Sequence, residues 1–121
     1  MRNWSKTALE WNLANDPSFG PHTPGGCTEC KGALTIDGSN FTRNVAYFII
    51  AHVSQFVPPG SKRVDSNTVS TLPNVAFLRP DGKKVLLVFN EGNQSTTFNL
   101  VYRESFSPVT IEAKSVKSIV F

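Results

Sequence analysis

The first sixty residues combine an alternating segment, a long loop and a helical segment. In "ALEWNLA", residues 8–14, the apolar Leu9, Trp11 and Leu13 alternate with polar residues, which predicts a β-strand with one apolar face. The strand is expected to end at "NDP", which is a turn signal. Proline and glycine then recur through residues 16–31 and predict a loop. A loop of this length in a compact domain is usually functional or disordered.

The strongest helix signal lies in "SNFTRNVAYFIIAHVSQF", residues 39–56. Apolar side chains, with one histidine among them, recur there at the helical period and define one broad face: Phe41, Val45, Phe48, Ile49, His52, Val53 and Phe56. Ser39 is the expected N-cap, and "PPG" at residues 58–60 is expected to end the helix. Such a face predicts burial against a large surface, with His52 as a hydrogen-bonded core residue.

Short β-strands separated by turns are predicted from about residue 61 to residue 121. "VLLVF", residues 85–89, is apolar at both alternating sets of positions, which predicts a central strand covered on both faces. In "TTFNLVY", Phe98 and Leu100 alternate with polar residues, so this strand is expected to keep one face in water. "PDGK", residues 80–83, predicts a hairpin with a type I′ turn. Strands at this spacing predict a β-sandwich.

The predicted fold class is therefore mainly β: an antiparallel β-sandwich preceded by one strand–loop–helix unit. That unit cannot close a core alone, because a single strand and helix need neighbouring strands. The organisation favours the tail of a larger protein over a self-sufficient one.

Composition excludes several classes of protein. Of the 121 residues, 17% are charged and 40% are hydrophobic, which excludes a disordered chain. The net charge of +3 comes from scattered residues, so no basic stripe for nucleic acid is expected. No apolar run approaches the roughly 20 residues that span a bilayer. The segment "MRNWSKTALE" lacks the apolar core of a signal peptide, but a signal upstream of Met1 would be hidden.

Both cysteines of the chain lie in the predicted loop as a C-x-x-C pair, Cys27 and Cys30. A structural zinc needs four ligands, usually two pairs, and His22 and His52 do not have zinc-finger spacing relative to this one pair. A thioredoxin-type redox pair opens a helix in a βαβ context, whereas "KGALTID" follows here. The remaining interpretation is local closure of the loop, as a disulfide or as two thiols. We expect no metal and no other cofactor.

Three motifs occur in order along nearly the whole chain. They are "EWNLANDPSFGPHTPGG" followed by "TID", then "YFIIAHVSQFVPPGSKRV", then "NVAFLRPDGKKVLLVFNEG". In residues, order and spacing they resemble the C-terminal region of glycoside hydrolase family 30. That family includes glucosylceramidases and bacterial and fungal β-1,6-glucanases.

The resemblance implies a (β/α)8 barrel with a β-sandwich packed beside it. Residues 8–14 would be the last barrel strand, residues 16–37 the loop after that strand, and residues 39–56 the last barrel helix. Residues 1–60 would then be the end of a truncated barrel, and residues 61–121 the C-terminal sandwich domain.

The same resemblance implies a sugar pocket beside the last barrel strand, because active sites of such barrels lie on the loops at the C-terminal ends of the strands. Trp11 would form an aromatic wall that stacks on a pyranose, with the loop at residues 16–32 as the rim. His22, in that loop, would donate to a sugar hydroxyl, or would simply be solvated. Trp11 as an ordinary core residue is the competing interpretation.

The implied chemistry is retaining glycoside hydrolysis, in which two carboxylates about 5–5.5 Å apart act as nucleophile and acid. In the family both are glutamates on earlier barrel strands, and neither is in this sequence. If the chain is not a fragment, the candidate carboxylates are Glu10, Asp16, Glu29 and Asp37. The competing interpretation is hydrogen bonding within the barrel for Glu10 and turn or capping roles for Asp16 and Asp37. We therefore expect the C-terminal fragment of a retaining β-glycosidase, of the glucosylceramidase or β-1,6-glucanase type, with no activity alone.

Two other functions remain open at this point. The sandwich could be a stand-alone carbohydrate-binding or adhesion module, although no tryptophan follows residue 60 to serve as a stacking platform. The C-x-x-C pair could make the chain a metal or redox protein.

The expected partners follow from the same hypothesis. One is a β-glucoside or glucan substrate bound through the missing barrel. The face of helix 39–56 is expected either to pack on the sandwich or to be covered by a second copy of the chain. No nucleic-acid partner and no membrane span are expected. A secreted, periplasmic or cell-surface location is the corresponding expectation.

Overall fold

The computed structural model describes residues 3–121 and is built mainly of β-strands. In chain order its elements are β1 (Ala14–Asn15), β2 (Leu34–Asp37), β3 (Asn40–Arg43), α1 (Val45–Phe56), β4 (Lys62–Val64), β5 (Asn74–Leu78), β6 (Lys84–Asn90), β7 (Thr96–Tyr102), β8 (Ser105–Ile111) and β9 (Ser115–Val120). The strands form three sheets, ordered β1-β2-β3, β4-β5-β6-β9 and β7-β8. Within residues 3–121, no helix is long and apolar enough to cross a membrane.

The predicted first strand is much shorter than the alternation indicates. Only its last residue, Ala14, lies in a strand, and β1 pairs in parallel with β2 at Ala14↔Leu34. Two of the apolar side chains expected on a buried face, Leu9 and Leu13, are 93% and 73% exposed. The prediction of a strand over residues 8–14 was wrong because alternation needs a paired neighbour, and β2 reaches no further back than this register.

The predicted helix begins later than residue 39. Residues 40–43 form β3, which pairs antiparallel with β2 from Asp37↔Asn40 to Leu34↔Arg43. Gly38, with φ 58°, occupies the first central position of the two-residue turn, as a type II′ hairpin requires. Ser39 lies in this turn and not at a helix N-cap. Phe41 therefore fits the helical spacing only by chance, because it lies in β3.

The helix end is as predicted, and the helix packs on the sandwich. It ends at Phe56, before the two prolines. Val53, Phe56 and Val57 pack against the buried Phe77, Val85 and Leu87 of the four-stranded sheet.

His52 makes the hydrogen bond expected of a histidine on that face. Its Nδ1 lies 2.7 Å from Ser118 Oγ on β9. The N-terminal half of the same helix face remains uncovered, since Val45 is 74% exposed and Phe48 55%.

The four-stranded sheet is antiparallel and has β6 in its interior. β6 pairs with β5 from Asn74↔Val88 and with β9 from Val85↔Val120. Four consecutive residues of β6, Val85–Val88, are buried. This confirms the prediction of a central strand covered on both faces.

The turn between β5 and β6 is a hairpin, as predicted, but it is not type I′. Gly82 N–H donates to Arg79 C=O at 3.0 Å, and Gly82 has φ 82°. Asp81 is not among the residues with positive φ, whereas a type I′ turn requires positive φ at both central residues. Because Pro80 fixes φ near −65°, it favours the second position of a type I turn, and Gly82 follows in the left-handed region.

The β7–β8 hairpin lies against the inner face of this sheet. Ile111 of β8 is fully buried with Leu72 and Val88, and Phe98 of β7 packs against them. As predicted, one face of β7 is exposed to solvent, since Thr97 and Asn99 are exposed.

A cavity of about 780 Å³ lies between the hairpin and the sheet, lined mainly by apolar side chains. The two layers therefore meet at one end and are separated at the other.

A cationic cluster surrounds Tyr102 beside this cavity. Lys84 Nζ lies 4.5 Å from the Tyr102 ring centroid, and the Arg103 guanidinium lies 5.3 Å from it. The Lys84 ammonium donates a hydrogen bond that lowers the pKa of the Tyr102 phenol, burial opposes this shift, and the charge of Arg103 supports it. The cluster therefore stabilises the ionised form of this tyrosine relative to a free one.

Ile111→Ala is expected to destabilise the chain by about 2–5 kcal/mol, because it leaves a cavity at the contact between hairpin and sheet. Val101→Ala, on an exposed side chain of the same hairpin, is the matched control and is expected to stay within about 0.5 kcal/mol. Urea unfolding followed by circular dichroism measures both. Equal unfolding midpoints for the two variants would contradict this packing.

Candidate functional site

The candidate site begins where β1 ends, with a buried asparagine. Asn15 is 4% exposed. Its Oδ1 accepts the Gly32 N–H at 2.6 Å, and its Nδ2 donates to the Phe19 C=O at 3.0 Å. One side chain thus holds both ends of the loop at residues 16–32 against the strand end.

Asp16 shapes the first turn of that loop. Its Oδ1 accepts the N–H groups of Ser18 and Gly20, each at 2.8 Å, which is an Asx-type turn. The Asp16 N–H in turn donates to the Gly20 C=O at 2.9 Å. The sequence predicted a turn or capping role for Asp16, and the structure places it in one.

The far end of the loop is held from two sides at Gly32. Asn44 Nδ2 donates to the Gly32 C=O at 2.9 Å and to Thr35 Oγ1 at 3.0 Å. Asn44 occupies the N-cap position of α1, but its side chain makes no cap hydrogen bond. The amide therefore binds the loop and not the helix.

Gly32 leaves no room for a larger residue. A Cβ there would overlap Asn12 Oδ1 and would lie 2.9 Å from Asn15 Oδ1. Asn12 Oδ1 is itself buried and has no hydrogen-bond partner among the described residues. Close approach of backbone to side chain is therefore the reason for glycine at this position.

The two cysteines of the loop are joined by a disulfide, Cys27–Cys30. The bonded sulfurs offer no thiolate to a zinc ion, and no group of three metal-ligating side chains occurs within residues 3–121. The pair precedes β2 and not a helix. The disulfide closes a small ring inside the loop, which is one of the two forms of local closure considered from the sequence.

Trp11 and His22 are both accessible to solvent beside this loop. Trp11 is 68% exposed, three residues before β1. His22 is also exposed. It lies two residues after Gly20, whose N–H donates to Asp16 Oδ1. Glu10, Glu29 and Asp37 are also exposed. An exposed tryptophan offers a flat apolar face, and a histidine offers a donor for hydroxyl groups.

Sequence reasoning missed the residues that build the site, namely Asn15, Gly32 and Asn44. Asparagine and glycine in a loop are ordinary turn formers, so they carry no signal for a contact between distant residues. The sequence did place the loop and its cysteines. It did not indicate that a buried amide fixes the loop.

The described fold matches a known family. The family model described as "Glycosyl hydrolase family 30 beta sandwich domain" matches residues 60–119. These residues cover the β7–β8 hairpin and the four-stranded sheet except the last residue of β9.

Curated relatives extend the similarity into the first part of the chain. The chain is 33% identical to the endo-1,6-beta-D-glucanase neg1 of Aspergillus fumigatus, over 74% of its own length and 20% of the relative's. It is 30% identical to the lysosomal acid glucosylceramidase of Mus musculus, over 82% of its own length and 21% of the relative's. The chain thus spans about a fifth of each relative.

Solved structures agree with this similarity. The endo-beta1,6-glucanase BT3312 superposes with a TM-score of 0.83 at 33% identity, over 97% of this chain and 27% of that one. SrfJ from Salmonella typhimurium, at 24% identity and a TM-score of 0.83, shares the fold. The chain belongs to glycoside hydrolase family 30, and it corresponds to the C-terminal region of that family.

Gly32→Ala is expected to destabilise the chain by about 1–3 kcal/mol, because the added methyl group collides with the Asn12 and Asn15 amides. Gly25→Asn is the matched control, since Cβ has open space there and asparagine tolerates the φ of 77°. The control is expected to change stability by less than about 0.5 kcal/mol in urea unfolding. Equal losses in both variants would argue against the close approach at Gly32.

Proposed function

We propose that this chain forms the C-terminal part of a retaining β-glycosidase that hydrolyses β-glucosidic bonds, and that it is inactive alone. The observation that carries this proposal is the superposition on BT3312, which covers nearly all of this chain and about a quarter of that glucanase. The two relatives that are named as enzymes are also much longer than this chain, which covers 20% and 21% of their lengths. The parent protein would be an O-glycosyl hydrolase of the glucosylceramidase or endo-1,6-β-glucanase type.

The proposed division is residues 1–60 as the last strand, loop and helix of a (β/α)8 barrel, and residues 61–121 as the sandwich. Large apolar side chains exposed in the first part support it: Leu9, Leu13, Val45, Phe48 and Ile49. Neighbouring barrel strands and helices would bury such side chains. In the second part, β6 is covered on one face by α1 and on the other by the β7–β8 hairpin.

In this arrangement Trp11 and His22 bind the sugar and do not catalyse. Trp11 would stack on the pyranose, and His22 would donate to a hydroxyl group. The two carboxylates of the retaining mechanism, about 5–5.5 Å apart, would come from other barrel strands. No cofactor is needed for this chemistry.

A secreted, periplasmic or cell-surface location and a role in carbohydrate metabolism belong to the same proposal. The disulfide supports an oxidising compartment. Of the named relatives, the mouse glucosylceramidase is lysosomal by name.

The experiment is a chimaera in which this chain replaces the matching region of neg1. The chimaera is expected to hydrolyse β-1,6-glucan, whereas the isolated chain and the remaining part of neg1 are each expected to be inactive. A folded chimaera without activity on any β-glycoside would contradict the proposal. Micromolar binding of glucan by the isolated chain, also without chimaera activity, would favour a stand-alone carbohydrate-binding module.

Trp11→Ala in the chimaera is expected to lower kcat/KM about 10- to 100-fold, because a stacking face at the sugar is lost. His22→Ala is expected to lower it about 5- to 10-fold, the equivalent of one hydrogen bond. Trp4→Ala, on the other tryptophan of the chain, is the control and should leave kcat/KM unchanged. Equal effects of Trp11→Ala and Trp4→Ala would remove Trp11 from the pocket.

We also propose that the isolated chain self-associates through the exposed apolar side chains in the N-terminal half of α1. The N-terminal half of α1 carries Val45, Phe48 and Ile49, which are 74%, 55% and 47% exposed. They lie on the same helix face as Val53 and Phe56, which pack on the sheet. A contiguous apolar surface of this kind favours association.

Phe48→Ser is expected to shift the isolated chain from dimer towards monomer in light scattering at about 50 µM, since it removes apolar area from that surface. Phe106→Ser, which changes an exposed aromatic on the β7–β8 hairpin, is the control and should not shift the mass. A monomeric chain that binds no hydrophobic dye would contradict self-association.

A further inference from the structure

We propose that Asn15 is the positioning residue of the loop at residues 16–32, and that its amide places His22 at the sugar. This role rests on the function proposed above. Asn15 is one of two buried polar side chains of the described part of the chain, and the other is Asn90. A buried amide is costly unless all its groups are paired, so its partners define what it holds in place.

The Nδ2 group of Asn15 fixes the backbone just before His22. Asn15 Nδ2 donates to the Phe19 C=O at 3.0 Å and lies 3.5 Å from the Gly20 C=O. Asp16 holds the Gly20 N–H at the same time. The chain is thus held at Gly20 by both its amide and carbonyl groups, two residues before His22.

The Oδ1 group of Asn15 holds the C-terminal end of the loop. Asn15 Oδ1 accepts the Gly32 N–H, two residues after Cys30, and Asn44 binds the Gly32 C=O. Gly32 is therefore fixed between the end of β1 and the start of α1. The Cys27–Cys30 disulfide restricts the loop between these two ends.

Because Asn15 orders the loop before the sugar binds, binding does not carry the conformational entropy cost of ordering it. A loop of 17 residues that is free at its ends samples many positions for His22, and binding would have to select one. With both ends held by Asn15, the donor is already in place. Loss of Asn15 should therefore weaken binding of the sugar and leave bond cleavage itself nearly unchanged.

The first arm of the test uses the isolated chain, labelled with ¹⁵N, and amide hydrogen exchange. Asn15→Leu, which has a similar volume and no amide, is expected to speed exchange of the Gly32 N–H about tenfold or more. Asn90→Leu is the matched control, because Asn90 is 2% exposed and its Oδ1 accepts the Gly92 N–H at 2.9 Å. The control should speed exchange at Gly92 and leave Gly32 unchanged.

Two results of this arm would overturn the inference. One is unchanged exchange at Gly32 in Asn15→Leu. The other is faster exchange at Gly32 in both variants, which would indicate global opening and no local hold on the loop.

The second arm measures kcat and KM in the chimaera with neg1. Asn15→Leu is expected to raise KM about tenfold with kcat within about threefold, whereas Asn90→Leu leaves both unchanged. Faster exchange at Gly32 without a rise in KM would make Asn15 a structural residue and contradict its positioning role. An inactive wild-type chimaera would remove the proposed function, while the exchange arm still decides whether Asn15 holds the loop.

Discussion

Strand β6 is the element on which both halves of this chain depend, because its two faces bind different layers. Val85 and Leu87 face α1, whereas Val88 faces the β7–β8 hairpin. A strand that is buried on both sides must be apolar at successive positions, and the sequence "VLLVF" satisfies this requirement. A polar substitution at any of these positions would uncover one layer or the other, so β6 couples the helix to the hairpin.

The candidate site is connected to the sandwich through this same contact. α1 packs on β6 and its neighbours, and Asn44 at the start of α1 binds Gly32 at the end of the loop. Asn15 then ties the loop to β1. The position of the loop therefore follows from a continuous set of contacts that begins in the core of the sheet.

The sequence predicts the second half of this fold better than the first. Strands β5, β6 and β7 are short and patterned by their own side chains, and each pairs with a strand next to it in the chain, so local alternation is sufficient. Residues 8–14 alternate equally well, but the exposed Leu9 and Leu13 show that alternation without a partner strand does not fix a strand. Residues 40–43 fit the helical period, yet the turn at Gly38 pairs them with β2.

The site follows the same division between local and distant information. The loop, its turn at Asp16 and its cysteine pair can be inferred from proline, glycine and cysteine spacing. The hold on the loop could not be predicted, because it joins Asn15 to Gly32 and Gly32 to Asn44 across 17 and 12 positions of sequence. Nothing in the residue types distinguishes these asparagines from ordinary turn residues.

The configuration of the first sugar released shows whether the protein that this chain completes is a retaining enzyme. If this chain completes a retaining β-glycosidase, proton NMR of the chimaera with neg1 should detect the β-anomer of the reducing end first, with the α-anomer appearing only by mutarotation. First release of the α-anomer would indicate an inverting mechanism and would contradict the proposed function.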